Sequence, residues 1–369
     1  MIGHLDGNWE TIARRRLRGQ LLDGSSLETP EEVVSTLAAM QAQDHGLARW
    51  SVAQRLQAEA TAATLDRAFD EGRFLRTHLL RPTWHYVAAF DLRWLMRLSG
   101  PRVDGLNAGR YRELELDAAT LGRANEVLGT AVAGRPRTRH ELAEILDAEG
   151  ISTAGQRLAH LLMHGELTAV ICSGPMHGRQ HTYAPFDARV PARPGPEGDE
   201  AVAELARRYF STRGPATPRD FAWWSGLGLR DIRRGLALLR APLTCRTIDG
   251  RSYWFVDNGA LPPARRRRID PVQCFDELIL SYSETRDVLQ TNDVSFPVPR
   301  DLDGYRHVLL LDGRLLGHWR TVARERTSIE TRVARPLDEA ERRALDEAAR
   351  RYRHFAATPA PPRDDSAAV

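Results

Sequence analysis

The spacing of apolar residues between positions 117 and 186 predicts three helices followed by two strands. Apolar positions recur at helical spacing over 117–133, and Thr138 with Glu141 forms a capping-box pattern at the start of a second helix. The elements that follow are a helix over Thr153–Met163, which Gly165 ends, and strand-like stretches at Leu167–Ser173 and Gln180–Ala184. Three helices and then a hairpin is the order of a winged helix.

The same order of elements recurs in the next part of the chain. The predicted elements are helices over 200–213, from Pro218 onward and over Arg230–Leu239, and strands over Leu243–Ile248 and Ser252–Val256 that meet at Asp249-Gly250. Trp223 and Trp224 lie in the middle helix of the three, and we expect both side chains in the core.

The two ends of the chain follow different patterns. In the N-terminal region we expect helices near 9–20, 30–41, 46–57 and 61–70, and strands over Phe74–Leu80 and Thr83–Ala88, a less regular third copy of the same order. In the C-terminal region we expect short strands over Phe275–Ser281, His307–Leu311, Arg314–Thr321 and Thr327–Val333, and then a helix over 336–354.

Together these patterns predict an α+β chain of three tandem winged-helix modules followed by a C-terminal β-rich domain. The predicted boundaries place the modules at 1–115, 116–190 and 199–260, the β-rich domain with its final helix at 261–357, and a disordered tail at 358–369. A winged helix offers one helix to a DNA groove and a hairpin to the adjacent backbone. Three in a row predict a C-shaped chain with a concave DNA-binding face.

The basic residues add candidate contacts, although the formal net charge is only +3. Arg157 on the third helix of the second module, and Arg230, Arg233 and Arg234 on that of the third module, are expected to contact phosphates. The arginine runs at 14–16 and 265–268 are further candidates, although a charge run is ordinarily a solvated face.

Composition also excludes some chemistry. The chain contains no lysine, so all 52 basic residues are arginine, and a lysine Schiff base is excluded. Cys172, Cys245 and Cys274 have no metal-ligand spacing, and we expect neither a metal nor a cofactor. No apolar run approaches the roughly 20 residues of a membrane span, and no signal peptide is visible, so we expect a cytoplasmic protein. Since it is expected to bind DNA, we expect it to associate with the nucleoid. No heptad run is visible, and we expect a monomer.

Three segments carry a resemblance to a known family. They are 40–51 (MQAQDHGLARWS), 76–86 (RTHLLRPTWHY) and 220–226 (DFAWWSG), in this order along nearly the whole chain. The chain resembles the AlkZ-like (YcaQ-like) DNA glycosylases, and its Gln41-Ala42-Gln43 looks like the branch of antibiotic self-resistance glycosylases. The resemblance implies three winged helices, a β-rich C-terminal domain, and removal of alkylated bases, in some branches from interstrand crosslinks.

The resemblance also assigns site residues. Gln41 and Gln43 become the catalytic pair, and the hairpin that approaches the lesion supplies the DNA-binding candidates His78, Arg81, Thr83, Trp84 and His85. His45 and His85 either contact phosphate or lie at the surface or in the core. Trp84 either wedges into the duplex or packs inward.

The glutamines suit a particular class of substrate. Glycosidic hydrolysis passes through an oxocarbenium-like sugar and needs a water opposite the departing base. A 7-alkylguanine or 3-alkyladenine is already cationic and leaves without an acid, so two neutral amides that position water and support the sugar cation are sufficient. The expected partner is therefore double-stranded DNA that carries alkylated bases.

Geometry constrains where the glutamines lie. On a helix, positions i and i+2 are about 200° apart, whereas an extended segment points them the same way. We therefore expect Gln41–Gln43 at a helix end, with Asp44 as the cap of the next helix and Gly46 just inside it. Asp44 is also the alternative candidate for a general base.

Two other functions remain open at this point. A winged-helix transcription regulator would bind one DNA sequence much better than others, and a non-catalytic damage binder would bind lesions and release no base. A glycosylase of this kind would instead release a free base and, because it has no lysine, leave an abasic site in an intact strand.

Overall fold

The computed structural model describes residues 9–239, 243–257, 259, 261, 267–291, 304–322 and 327–357. Helices and strands are both abundant, and within these residues the fold is a mixed arrangement of helices with four small antiparallel sheets. The predicted tail at 358–369 and residues Arg265 and Arg266 of the second arginine run lie outside the described residues.

The first unit of the chain contains six helices and a three-stranded sheet. In chain order the elements are α1 (Trp9–Gly19), α2 (Pro30–Thr36), β1 (Met40–Gln41), α3 (His45–Ala53), α4 (Ala62–Asp70), β2 (Phe74–Leu79), β3 (Arg81–Ala88), α5 (Ala89–Leu106) and α6 (Ala108–Glu113). The sheet has the order β1-β3-β2, with β3 in the centre. The prediction contains α1–α4 and the hairpin, but neither β1 nor α5 and α6.

The second unit follows the predicted order with one shifted helix. Its elements are α7 (Ala118–Ala133), β4 (Arg137–Thr138), α8 (Arg139–Ala148), α9 (Arg157–Leu167), β5 (Ile171–Ser173), β6 (Thr182–Pro185) and α10 (Phe186–Arg189). The Thr138–Glu141 capping box is confirmed. Gly165 lies inside α9 rather than at its end. A Cβ at this position would meet Leu128 and Ile171 at 3.2 Å, so Gly165 allows α9 to pack closely.

The third unit also has the predicted order. Its elements are α11 (Gly198–Arg213), α12 (Pro218–Ser225), α13 (Leu229–Ala237), β7 (Leu243–Ile248) and β8 (Arg251–Val256). A capping box of Thr217 and Asp220 begins α12, with Pro218 in the first turn as expected. That each of the three units is a winged helix stays a prediction, as do the domain boundaries and the C-shaped outline.

The C-terminal part forms a four-stranded sheet with a long final helix. Its elements are β9 (Ile269–Val272), α14 (Glu277–Leu280), a 3-10 turn (Arg286–Leu289), β10 (His307–Leu311), β11 (Arg314–Thr321), β12 (Ile329–Val333) and α15 (Glu339–Ala357), with the sheet order β12-β11-β10-β9. The predicted strand over Phe275–Ser281 is wrong. Asp276 caps α14 there by accepting a hydrogen bond from the Leu278 N–H, which begins a helical turn.

Apolar packing joins the predicted modules instead of separating them. The largest buried cluster includes residues from the first three units and from the segment after α14, among them Leu92, Phe186, Trp224 and Tyr282. Part of the arginine run at 14–16, which the sequence offered as a further candidate for phosphate contact, belongs to this packing instead, because Arg15 and Arg16 are buried. Arg16 is fully buried and donates to the Pro215 carbonyl at 2.8 and 3.0 Å and to Thr285 Oγ1 at 2.6 Å.

Gly226 is where α12 meets the tip of the β2–β3 hairpin. Its φ is +71°, and a Cβ there would lie 2.5 Å from the Leu80 carbonyl oxygen. We expect Gly226→Ala to lower the free energy of unfolding by more than the roughly 1–2 kcal/mol that a left-handed alanine costs, because the hairpin or α12 must also shift. Urea unfolding measures this change.

Gly150→Ala is the matched control, because Gly150 also follows a helix with φ +74° but has nothing within 4 Å of the added Cβ. Equal losses of stability in the two variants would contradict a tight contact between Gly226 and the hairpin.

Candidate active site

The two glutamines lie on a short extended segment between α2 and α3. Gln41 pairs with His85 of β3, and the Ala42 N–H donates to the Trp84 carbonyl at 2.7 Å, which continues the pairing by one residue. The segment ends at Asp44, whose carboxylate accepts a hydrogen bond from the Leu47 N–H at 3.1 Å and caps α3. The predicted cap, with Gly46 in the first turn of the helix, is confirmed.

This pairing brings predicted site residues to one face of the sheet. Residues paired across antiparallel strands point to the same face, and every second residue along a strand does so as well. The register therefore puts Gln41 on the same face as three residues of β3, namely Arg81, Thr83 and His85, and the same alternation continued past Ala42 points Gln43 to this face as well. Gln41 is 7 % exposed, whereas Gln43 lies in the open at the end of the segment.

Arginines fix both glutamines, in different ways. Arg81 donates from Nη2 to Gln41 Oε1 at 2.7 Å, which orients the buried amide. Arg76 donates to the backbone carbonyls of Ala42 at 2.9 Å and Gln43 at 3.3 Å, so it holds the segment and leaves the Gln43 amide at the surface. The Gln43 Oε1 accepts only a long hydrogen bond, 3.4 Å, from the Trp84 N–H.

Trp223 borders this face, and the expectation that it lies in the core is wrong. Its side chain is 49 % exposed, whereas that of Trp224 is fully buried. Arg81 donates to the Trp223 carbonyl at 3.4 Å, and the Trp223 indole donates to the Leu280 carbonyl at 3.1 Å. Adjacent helical positions do not face the same way, so the Trp-Trp pair on α12 was itself a signal that one ring leaves the core.

His85 is buried behind the glutamine segment and does not contact the surface. Its side chain is 0 % exposed, and its Nδ1 lies 2.9 Å from the Thr83 carbonyl. Burial, together with the charge of Arg81, lowers the pKa of His85 to about 3, so the ring is neutral at pH 7 and Nδ1 donates. The predicted DNA contact is replaced by this internal bond. Within the described chain, His85 Nε2 and Thr83 Oγ1 have no hydrogen-bond partner.

His78 and Trp84 lie on the opposite face, against the second unit. The buried His78 Nδ1 is 2.6 Å from Glu166 Oε2, an oxygen that also accepts the His78 backbone N–H at 3.0 Å. The Trp84 ring packs 3.9 Å from the His78 ring, 4.1 Å from the Arg76 guanidinium and against the apolar cluster of the second unit. Of the two roles considered for Trp84, this placement is the inward-packed one, and His78 is turned away from the glutamines.

His45, the first residue of α3, is half-buried among aromatic rings. Its Nδ1 lies 2.7 Å from the Tyr86 hydroxyl, and its ring packs on those of Phe69 and His181 at 5.2 and 4.6 Å. Burial and the neighbouring His181 lower the pKa of His45 to about 2. A phosphate contact through a charged His45 ring is therefore not what this placement provides.

The four predicted phosphate-binding arginines fall into two groups. Arg157 donates to the carbonyls of Ser152 at 2.8 Å and Glu115 at 3.2 Å, so it ties the start of α9 to the preceding loops. Arg234 is paired with Asp199 at 3.0 Å and with Asp231 at 2.8 Å. The donors of Arg157 therefore serve the fold instead of the predicted DNA contact, whereas Arg234 is exposed with its ion pairs at the surface and stays a candidate. Arg230 and Arg233 are exposed on α13 and stay candidates.

The described residues contain no cluster of three or more His, Cys, Asp or Glu side chains that would hold a metal ion. Among the helices of this part of the chain, none has the length and apolar character needed to cross a membrane.

Comparison with known proteins assigns the class. The family model described as DNA glycosylase AlkZ-like matches residues 34–355, a span that includes the glutamine segment, the hairpin and the C-terminal sheet. The chain belongs to the AlkZ-like DNA glycosylase family.

A curated protein sequence and a solved structure, both from Streptomyces sahachiroi, are similar to this chain over most of its length. The interstrand DNA cross-link repair glycosylase is 23% identical over 338 residues, which cover 87% of this chain and 90% of that protein. The solved structure of the DNA glycosylase AlkZ superposes with a TM-score of 0.75 at 19% identity and covers 95% of this chain and 97% of that one. The latter likeness shows that the two chains share a fold.

The buried neutral His85 makes stability depend on pH. An unfolded histidine takes up a proton below about pH 6.5, whereas the folded ring resists protonation down to about pH 3, so stability falls as the pH drops through this window. We expect His85→Asn, which keeps a donor for the Thr83 carbonyl, to lose less stability than the wild type between pH 7.5 and 5.

His85 contributes at most about 1.4 kcal/mol per pH unit to the dependence of the free energy of unfolding on pH, and the substitution should remove this contribution. Chemical denaturation at several pH values measures the dependence. The substitution also lowers stability through lost packing, but this loss is the same at every pH. It therefore cancels when the free energy of unfolding of each protein is compared between two pH values. An unchanged slope in His85→Asn would show that His85 does not stay neutral in the folded protein.

Proposed function

We propose that the protein is a monofunctional DNA glycosylase that hydrolyses the N-glycosidic bond of cationic alkylated purines, of the 7-alkylguanine and 3-alkyladenine type, in duplex DNA. The observation that carries this proposal is the shared face of Gln41 and Gln43 on an extended segment, with Arg81 oriented on the buried amide. Family membership supplies the reaction class, and the amides select among its substrates.

The reaction balances without an acid on the protein. Water adds its oxygen to C1′ of the sugar as the glycosidic electron pair leaves with the base, which thereby becomes neutral, and the proton of the water passes to solvent. A carboxamide cannot take that proton, but its oxygen orients the water and stabilises positive charge on the sugar. Gln43, at the open end of the segment, is suited to this task, while Gln41 shapes the wall behind it.

Asp44 is the second candidate for receiving the proton. Its carboxylate is exposed next to Gln43, but the oxygen Oδ1 is already used to cap α3. We therefore assign Asp44 a capping role first. A carboxylate with one oxygen free of the cap would still accept a proton from water that Gln43 holds.

The substrate range extends to bulky adducts. The relative from Streptomyces sahachiroi is an interstrand DNA cross-link repair glycosylase, and we propose that this chain also acts on crosslinked or bulky natural-product adducts. The exposed Trp223 supports this, because Arg81 donates to its backbone carbonyl and its ring offers an aromatic surface on which a planar adduct or base can stack.

DNA binding is assigned to surfaces around this face. We propose that the three helix-and-hairpin units are winged helices, that Arg230 and Arg233 contact the phosphate backbone, and that the protein acts as a monomer. The exposed position of both arginines on α13 supports phosphate contacts, which would make the affinity depend on salt.

The first experiment measures release of 7-methylguanine from duplex DNA under single-turnover conditions. We expect Gln43→Ala to lower the rate by about 100-fold, the effect of losing one aligned electrostatic contact. Gln57→Ala is the matched control, because Gln57 is exposed on the loop after α3 and belongs to no part of the site.

Equal rates for Gln43→Ala and the wild type would contradict the assignment. Tight binding of damaged DNA without release, for 7-methylguanine and for a panel of crosslinks, would instead indicate a non-catalytic damage binder. Strong preference for one undamaged sequence would indicate a regulator.

We also predict that the strand stays intact during base release. The chain has no lysine to form a Schiff base with the abasic sugar, so breaks should form only after alkali treatment. Gel analysis with and without alkali measures this directly. Nicks that form in step with base release, in the absence of alkali, would show lyase activity and contradict the prediction.

A further inference from the structure

A buried carboxylate from the C-terminal part reaches the glutamine segment. Glu277, the first residue of α14, is 1 % exposed, and its Oε1 accepts the backbone N–H of Gln41 at 2.7 Å. This N–H belongs to the residue whose side chain Arg81 orients. Glu277 thus holds the main chain of Gln41 while Arg81 holds its amide.

The other oxygen of Glu277 is held by donors from three residues. Oε2 accepts from Arg213 Nη2 at 2.6 Å, from Trp224 Nε1 at 2.7 Å and from Ser281 Oγ at 3.0 Å. These partners come from the end of α11, from α12 and from the end of α14, so the carboxylate is fixed from three directions before it reaches Gln41.

Arg213 extends the same restraint toward α2. Its guanidinium, fully buried, donates to the carbonyls of Leu37 at 3.0 Å and Ala39 at 2.9 Å. Arg213 and Glu277 therefore form hydrogen bonds with the main chain at three alternate residues, 37, 39 and 41. The segment immediately before the catalytic glutamines is therefore attached to the third unit and to α14.

The stability of the fold alone does not explain such a pair. Desolvation offsets most of the attraction within a buried ion pair, and apolar residues of the same volume often serve a core equally well. Burial would raise the pKa of Glu277, but the charge and hydrogen bonds of Arg213 outweigh it and lower the pKa to about 2. The carboxylate is charged at neutral pH and directed at one backbone amide of the site.

We propose that Glu277 is a positioning residue for the glycosylase site: with Arg213, it fixes the backbone of Gln41 so that the Gln41 and Gln43 amides face the lesion together. The inference rests on the proposed function for its catalytic consequence. It also means that the site is complete only when α11, α12 and α14 are packed against the first unit.

The test uses the full-length protein with two variants at Glu277. Glu277→Asp keeps the charge opposite Arg213 but is one methylene too short to reach both Arg213 and Gln41. We expect its maximal single-turnover rate of base release to fall about 10- to 100-fold, the effect of a small misplacement of a catalytic group. The DNA concentration at half-maximal rate should stay unchanged. In Glu277→Gln one of the two oxygens becomes an NH2 group, which would face either the Gln41 N–H or the donors of Arg213, Trp224 and Ser281. A folded Glu277→Gln protein should therefore lose at least as much of the rate.

Asp276→Asn is the matched control. The neighbouring Asp276 forms an equally buried pair with Arg55 at 2.7 Å, but its partners do not include the glutamine segment, and asparagine keeps the helix cap. It should lose stability and retain the rate at a temperature where it is folded. A wild-type rate in folded Glu277→Asp, or an equal loss in Asp276→Asn, would overturn the proposal.

Hydrogen exchange separates this inference from the proposed function. In Glu277→Asp the amide of Gln41 should lose protection relative to the wild type, and in Asp276→Asn it should not. If the wild type releases no base, the proposed function fails, and this comparison alone judges the positioning role. Unchanged protection of Gln41 in folded Glu277→Asp would then overturn it.

Discussion

The register between β1 and β3 is the constraint on which the candidate site depends. The ladder is only two residues long, with one more hydrogen bond from Ala42 to Trp84. A slip by one residue in a strand moves every side chain to the other face. Such a slip would separate Gln41 from Arg81 and turn both amides toward the face that holds His78 and Trp84. The hydrogen bonds that Arg76 and Arg213 donate to this segment, and the one that Glu277 accepts from it, all oppose such a slip.

Local chemistry in the sequence was sufficient for much of the secondary structure. The capping box at Thr138, the Asp44 cap and the turn at Asp249-Gly250 depend on residues within a few positions of one another, and each is found where it was predicted. The errors arise where tertiary packing decides. Gly165 ends a helix by propensity but lies inside α9, and the short apolar run after Asp276 has no period that separates strand from helix.

The candidate site was predictable only in part, because its pairings are long-range. The resemblance indicated Gln41 and Gln43, and helical geometry required a non-helical segment for them. Neither indicated that Arg81 orients Gln41 or that Glu277, more than two hundred positions away in the chain, accepts its N–H. A glutamate in the sequence DELIL carries no local sign of such a role.

Arginines occupy two kinds of position in this lysine-free chain. Arg230 and Arg233 are exposed, and their contact with phosphate stays a prediction. Arg16, Arg55 and Arg213 are fully buried and use their forked donors on carbonyl and carboxylate oxygens that join distant parts of the chain. An ammonium group has no such planar fork, so the same network would lose geometry if lysine replaced arginine.

The buried network and the weak catalytic groups fit together. A neutral amide cannot act as an acid or a base near neutral pH. Its effect on the hydrolysis of a glycosidic bond depends on where its oxygen is held when charge develops on the sugar. A site that relies on placement requires a rigid backbone under the amides. Glu277 and Arg213 provide that rigidity from parts of the chain that local sequence does not link to the glutamines. In the reaction proposed above, the chemical reactivity comes from the cationic lesion, and the protein contributes geometry.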